Sequence, residues 1–340
     1  MTRTRITRLI LGLLALSAPV VAGCGSDDAS SASGDGGGGK IALVAYSTPQ
    51  QAYEDAVIPG FQKSADGEGV EFSTSFGASG DQRRAVESGL PADVVAFSLQ
   101  PDMTKTVDAG LVAEDWSSDE YKGMVTDSVV VLSVRPGNPK NIKGWDDLVS
   151  GDVDIITPNP ATSGGAKWNI MAAYGSQIEQ GKSEQEALDF VKQVLANTSV
   201  QDDSARDSLQ TFAGGKGDVL IGYENEALQA KDEGIELEYV IPDETILIEN
   251  PLAATTDASE KAQQFVDYTR TDKAQQLFAD HGYRPVVKSV LETNRDKFPE
   301  PSALFTIEKF GGWDVVETDF FDEENGSIFE IQRELGNPTE

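Results

Sequence analysis

The chain has 340 residues, of which 39% are hydrophobic and 25% charged, and a formal net charge of −30. That length accommodates two domains with substantial cores, and the balance is that of an ordinary globular protein. So large an acidic excess argues against a nucleic-acid partner, because phosphate backbones need basic faces. It also means that any bound anion must be held by local dipoles against the field of the whole chain.

Met1 to Arg8 carries Arg3, Arg5 and Arg8, followed by the apolar run Leu9 to Val21 and then Val21-Ala22-Gly23-Cys24. Basic, apolar and small-residue regions in that order predict a signal peptide over residues 1–23, with a run short for a membrane span. Cys24 is the only cysteine, so no intrachain disulfide is possible. Val-Ala-Gly-Cys resembles a bacterial lipobox. The resemblance implies cleavage before Cys24, diacylglycerol on its sulfur, and a lipid anchor at the extracytoplasmic face of the cell membrane. Loss of three arginines with the signal would take the charge from −30 to −33. Residues 24–39 complete the leader: glycine and serine dominate Ser26 to Gly39, which reads as a flexible tether.

From Lys40 short apolar strands alternate with amphipathic helices. Strands are predicted at Ile41–Tyr46, Val70–Ser75, Ala92–Phe97 and Ser128–Val134, with helices at Gln51–Ser64, Gly80–Ser88 and Pro101–Ala109. A second set follows: strands Val153–Ile156, Asp218–Ile221 and Leu237–Ile241, with helices Gly165–Gly175, Glu184–Ala196 and Asn225–Asp232. Ile246–Ile248 and the helices Ser259–Thr271 and Lys273–His281 return the chain to the first set. This order predicts an α/β protein of two lobes, each a mostly parallel sheet flanked by helices, with a cleft between them. The boundaries read as 40–125 plus 246–300 for lobe 1 and 126–245 for lobe 2. Residues 301–340 form a tail wrapping the body as helix and coil.

The stretch Ile155 to Asn169 ends a strand, passes a proline-stiffened loop and opens a helix at Thr162-Ser163-Gly164-Gly165. N–H groups at a helix start lack intrahelical partners and carry partial positive charge, which makes such a turn a seat for an anion. Glycine there admits close approach. Four further places share the logic. Tyr46-Ser47-Thr48-Pro49 follows a strand, and so does Ser75 to Gln82, in which Ser79 is placed to cap a helix. Asp203 to Ser208 precedes a helix, and Tyr223-Glu224-Asn225 follows a strand. Loops at the carboxyl ends of strands in open parallel sheets are where ligands bind.

Ile156 to Trp168 (ITPNPATSGGAKW), Gly217 to Ala227 (GDVLIGYENEA), Tyr283-Arg284-Pro285, Phe76 to Gly80 and Leu304 to Trp313 (LFTIEKFGGW) resemble the signature stretches of the bacterial sulfate/thiosulfate-binding proteins. These are solute receptors of ABC transporters with a two-lobed, type II periplasmic-binding-protein fold. The resemblance spans about Ile41 to Trp313. It implies a sulfate held by neutral donors alone. Ser79 would give its hydroxyl, Ser163 its hydroxyl or backbone N–H, Gly164, Gly165 and Ala205 backbone N–H groups, and Arg206 would brace its turn without touching the anion. Two positions depart from the enteric pattern. Ser47 stands where those members have an aspartate that contributes its N–H, and Tyr223 stands where they have a tryptophan that donates its indole N–H. The resemblance further implies an ABC permease and ATPase as partners, a monomer, and no cofactor or metal.

An all-donor site discriminates by proton content. Sulfate offers only acceptors at neutral pH, whereas hydrogen phosphate retains a proton and leaves a polar pair unmatched, at about 1–3 kcal/mol. Asp81, close to Ser79, is the one carboxylate placed to upset this logic, and it is expected to be a first-turn helix carboxylate pointing to solvent. Thiosulfate, molybdate and phosphate remain alternative ligands, and an exported hydrolase the alternative class. An enzyme finds little support. His281 is the only histidine, no Gly-x-x-x-x-Gly-Lys-(Ser/Thr) pattern is present, and Trp116, Trp145, Trp168 and Trp313 are expected in the core.

Overall fold

Ile41, Leu43 and Ala45 are fully buried, and Val44 and Tyr46 nearly so, so the first strand is covered on both faces. Continuous rather than alternating hydrophobicity is the mark of such a strand. The computed structural model describes residues 39–339; the expected signal sequence, Cys24 and nearly all of the expected tether lie outside the described residues. Eleven strands are present among those described: β1 Lys40–Tyr46, β2 Glu71–Gly77, β3 Val94–Ala96, β4 Met124–Val134, β5 Ile155–Pro158, β6 Thr198–Asp202, β7 Val219–Tyr223, β8 Glu238–Val240, β9 Glu244–Ala254, β10 Arg284–Pro285 and β11 Ala303–Phe305.

The strands follow the hydrogen-bonded path β2-β1-β3-β9-β4-β7-β5-β6. β2, β1 and β3 are parallel, as are β7, β5 and β6. Between these trios run the long antiparallel strands β4 and β9. β9 pairs with β3 through Leu252–Ala254 and with β4 through Leu247–Pro251. β4 continues past Val129 to pair with β7 through Val130–Val134. Two lobes are thus joined by strands that belong to both.

β4 and β9 are longer than the sequence suggests. Asn250-Pro251 reads as a break, yet Pro251 tolerates the ladder because its carbonyl still accepts Phe97 N–H at 3.1 Å and the register shifts beside its partner Met124. The tail carries the helices Trp313–Phe320 and Ser327–Leu335.

Aromatic side chains fill both cores. In the first lobe Phe61 meets Phe265 edge-on at 5.3 Å and Tyr53 meets Phe278 at 5.5 Å. In the second, Trp168 meets Trp313 at 4.6 Å. Trp145 is buried as well, its indole donating to the Glu244 carbonyl at 2.8 Å. Among the described residues no helix is long and apolar enough to cross a membrane.

Candidate functional site

Every strand of the two parallel trios ends where the lobes face each other, and each of the six leads into a helix start. Helices begin at Gln50, Ser79, Gln100, Gly164, Ala205 and Glu224. The residues just before or at these starts meet in one small cavity: Tyr46, Ser47 and Thr48 after β1; Ala78 and Ser79 after β2; Ser98 after β3. From the second lobe come Ser163 and Gly165 after β5, Ser204 and Ala205 after β6, and Tyr223 ending β7. The enclosed space is about 10 Å³, on the scale of one water-sized group, so the lobes are drawn tightly together. None of these eleven side chains is charged. The field inside comes from the positive ends of the helices, whose first N–H groups have no intrahelical acceptor.

Of the eight positions singled out in the sequence, Ser47, Ser79, Ser163, Gly165, Ala205 and Tyr223 line the cavity. Gly164 sits beside it at the start of the same helix, and Arg206 lies outside. The two glycines have different duties. A Cβ on Gly165 would lie 3.3 Å from Ser163 Oγ and 3.5 Å from both Ala205 Cβ and Tyr223 Cε1, on the cavity side. A Cβ on Gly164 would come 1.8 Å from Leu99 Cδ2 and 2.1 Å from Ser98 Oγ, both in the opposite lobe. Gly164 therefore permits closure by having no side chain.

Ser79 departs from its expected roles. The cap position is Ala78, and Ser79 is the first helical residue, making no cap bond. Its hydroxyl donates to Asp102 Oδ2 at 2.6 Å and accepts from Ser98 N–H at 3.1 Å. Asp102, itself buried, also accepts from Arg83 Nε at 3.2 Å. A serine hydroxyl has one proton, and in this arrangement Asp102 takes it, which leaves the Ser79 backbone N–H as the donor at the helix start. Asp81 is half exposed and paired with Arg84, as expected of a first-turn surface carboxylate, and the carboxylate that bears on the site is the sequence-distant Asp102.

Tyr46, Thr48, Ala78, Ser98 and Ser204 complete the lining and were not singled out individually. All but Ser98 sat in turns already noted. Ser98 carried only its place after a strand as a signal. The hydroxyls of Tyr46, Ser98 and Tyr223 are buried without a hydrogen-bond partner. Burial pushes the phenols of Tyr46 and Tyr223 well above their ordinary range, so both stay protonated as donors. Thr48 Oγ1 pairs with the buried Tyr283 hydroxyl at 3.1 Å. Trp168 serves packing and closure together: its indole donates across the cleft to the Ser98 carbonyl at 2.7 Å.

Further bonds cross the cleft near the cavity. Gly80 N–H reaches the Thr162 carbonyl at 3.1 Å, Arg206 Nη2 reaches the Thr48 carbonyl at 2.8 Å, and the Gln229 amide reaches Gln51. Arg206 also donates to Gln229 Oε1 at 2.9 Å, and its Nε faces Glu226 Oε1 at 3.5 Å. Burial lifts the Glu226 carboxyl from 4.5 to about 7; Arg206 opposes the rise and Asp207 adds to it. The folded chain thus holds a proton there that the unfolded chain releases. The associated stability, on the order of 3 kcal/mol, is complete below pH 4.5 and lost as pH rises through about 7. Urea midpoints followed from pH 4.5 to 7.5 should show this decline, and Glu226→Gln should flatten it. An unaltered slope in that variant would refute the assignment.

Among the described residues no group of three His, Cys, Asp or Glu side chains is placed to hold a metal ion. His281, at a helix end, sets its Nδ1 2.8 Å from the Leu277 carbonyl.

Residues 41–284 match the bacterial extracellular solute-binding protein family. A sulfate-binding protein of Synechococcus elongatus is 38% identical over 312 residues, covering 88% of this chain and 89% of the relative. A thiosulfate-binding protein of Pseudomonas aeruginosa is 33% identical over 303 residues, 84% of this chain and 90% of the relative. Among solved structures, the sulfate-binding protein SubI of Mycobacterium tuberculosis H37Rv superposes with a TM-score of 0.81 at 43% identity. That match covers 83% of this chain and 99% of SubI.

Proposed function

The chain belongs to the sulfate/thiosulfate-binding family of bacterial extracellular solute-binding proteins, and from that membership we propose that it captures sulfate between its lobes and delivers it to an ABC importer. The observation that carries the reading is the meeting of helix starts on a cavity lined by neutral side chains alone. A dianion taken from water needs dense hydrogen bonding and positive potential, and helix N-termini supply both without a counter-charge.

In this reading the Ser47, Ser79, Gly164, Gly165 and Ala205 backbone N–H groups point toward the anion, with the Ser163 and Tyr223 hydroxyls beside them. Arg206 braces the Ala205 turn and ties it to Thr48. Lobe 1 spans 40–125 plus 246–300 and lobe 2 spans 126–245, so that flexing of β4 and β9 opens the cleft. The protein works as a monomer with a permease and an ATPase, anchored through a lipid on Cys24 at the extracytoplasmic face of the membrane. It catalyses no reaction. The thiosulfate-binding relative supports thiosulfate as a second ligand of the same site.

Titration of the purified protein with sulfate, thiosulfate, molybdate and phosphate, followed by calorimetry and tryptophan fluorescence, tests the proposal. The expected result is sub-millimolar sulfate binding that phosphate does not displace, with a fluorescence change from Trp168, whose indole bridges the lobes. No response to any of the four anions would overturn it.

A further inference from the structure

The two C-terminal helices are fastened to the second lobe. Trp313 packs on Trp168, and Phe320 meets Tyr174 edge-on at 4.9 Å. Gln332 and Gln201 exchange amide hydrogen bonds at 2.7 and 3.2 Å, and Asn159 donates to the Pro338 carbonyl at 3.2 Å. Among the described ion pairs, the one that joins this segment to the first lobe is Glu317 Oε2 with Lys105 Nζ at 3.3 Å. The other oxygen of the same carboxylate accepts from Lys167 of the second lobe at 2.5 Å. Beside these groups lies a groove of about 500 Å³, lined by Arg83, Lys105, Lys167, Glu317 and Phe321 and bounded by Ser163 and Gly164 of the anion site. The Trp313–Phe320 helix thus spans the mouth of the cleft.

We infer that Glu317 is a positioning residue for anion capture, the latch by which a strap carried on the second lobe engages Lys105 when the lobes close. The inference rests on the reading of capture by lobe closure. Lys167 belongs to the helix Gly164–Glu179, and its ammonium also lies 5.0 Å from the Phe321 ring. It therefore holds Glu317 in place whether the cleft is open or shut, and separation of the lobes breaks the bond to Lys105 alone. A carboxylate already fixed by one lysine loses little rotamer freedom on meeting the second, which favours closure. The Lys105 side chain is 48% exposed, so salt screens this half of the latch. The latch does not touch the anion. It acts on the dissociation rate and leaves the selectivity of the site alone.

The decisive variant is Lys105→Glu in the full chain, with Lys105→Gln beside it. Spin labels, one on each lobe, report the interlobe distance in anion-free protein by electron–electron resonance, and stopped flow gives dissociation of bound sulfate. Lys105→Glu is expected to lengthen the interlobe distance. It should also speed dissociation by about two- to tenfold at low salt, with a smaller effect in Lys105→Gln and convergence with the parent in 1 M salt. A merely structural lysine would shift thermal stability without this salt-dependent change in dissociation. Unchanged distances in Lys105→Glu at low salt would overturn the latch. Should the parent bind no oxyanion, the functional reading falls, and the anion-free distances still decide the latch.

Discussion

Gly165→Asp is expected to abolish oxyanion binding, with affinity falling at least about a thousandfold, while the protein still folds. The position lies at the second residue of the Gly164–Glu179 helix, and its missing side chain faces the cavity. A carboxylate there would meet a dianion within about 4 Å. At an effective dielectric of about 20 each unit-charge pair at that separation costs about 4 kcal/mol, so a thousandfold is a lower figure. The carboxylate would also satisfy the same helix N-terminus that the anion needs, replacing the ligand by a tethered one. Folding should survive, because the added Cβ meets its neighbours at 3.3 to 3.5 Å, tight but without a clash against backbone. Gly165→Asn, matched in size and neutral, separates charge from bulk: its loss should be far smaller. Equal losses in the two variants would mean that crowding rather than potential controls the site, and normal sulfate affinity in Gly165→Asp would refute the site outright.

Gly164 teaches a different lesson one residue away. From the sequence, Gly164 and Gly165 are equivalent, and a carboxylate at Gly164 reads as a charge placed at the helix start. The structure turns its absent side chain toward Leu99 and Ser98 of the opposite lobe. Any residue with a Cβ there would therefore hold the lobes apart by bulk. What was legible in the sequence was local: each strand end followed by serine, glycine or proline and a helix start announces its turn within a few residues. Six cavity positions were found from such punctuation and resemblance alone. What stayed hidden depends on contacts far along the chain. Ser79 and Asp102 are 23 residues apart, so nothing near Ser79 indicates that its proton is already engaged. The length of β9 was hidden for a related reason. Asn-Pro is a local stop signal, and only the neighbouring Phe97 and Met124 show why the strand continues through it.

The buried pair beneath Tyr223 gives the largest expected change in stability. Arg284→Met should destabilise the protein by about 3–5 kcal/mol in urea denaturation at pH 7.5. Arg284 Nε and Nη2 donate to the two oxygens of Glu224 at 2.6 and 3.0 Å, and Nη2 also reaches the Pro299 carbonyl at 2.8 Å. Glu224 is fully buried and opens the helix that follows Tyr223. Burial already raises its pKa against the pull of Arg284, so removal of the guanidinium leaves a carboxylate that is costly to keep ionised and costly to leave unpaired. The direction with pH follows. Without Arg284 the folded-state pKa of Glu224 rises further, so the folded variant takes up a proton more readily than its unfolded chain. Stability tied to that proton is present at low pH and lost as pH rises, which makes the deficit of Arg284→Met relative to the parent smaller at pH 5 than at pH 7.5. Replacing both partners, Arg284→Met with Glu224→Leu, removes the orphaned charge and should recover a large part of the loss. If the double variant were as unstable as the single one, the orphaned carboxylate would not be the cause, and packing of the guanidinium beside Phe298 would take its place.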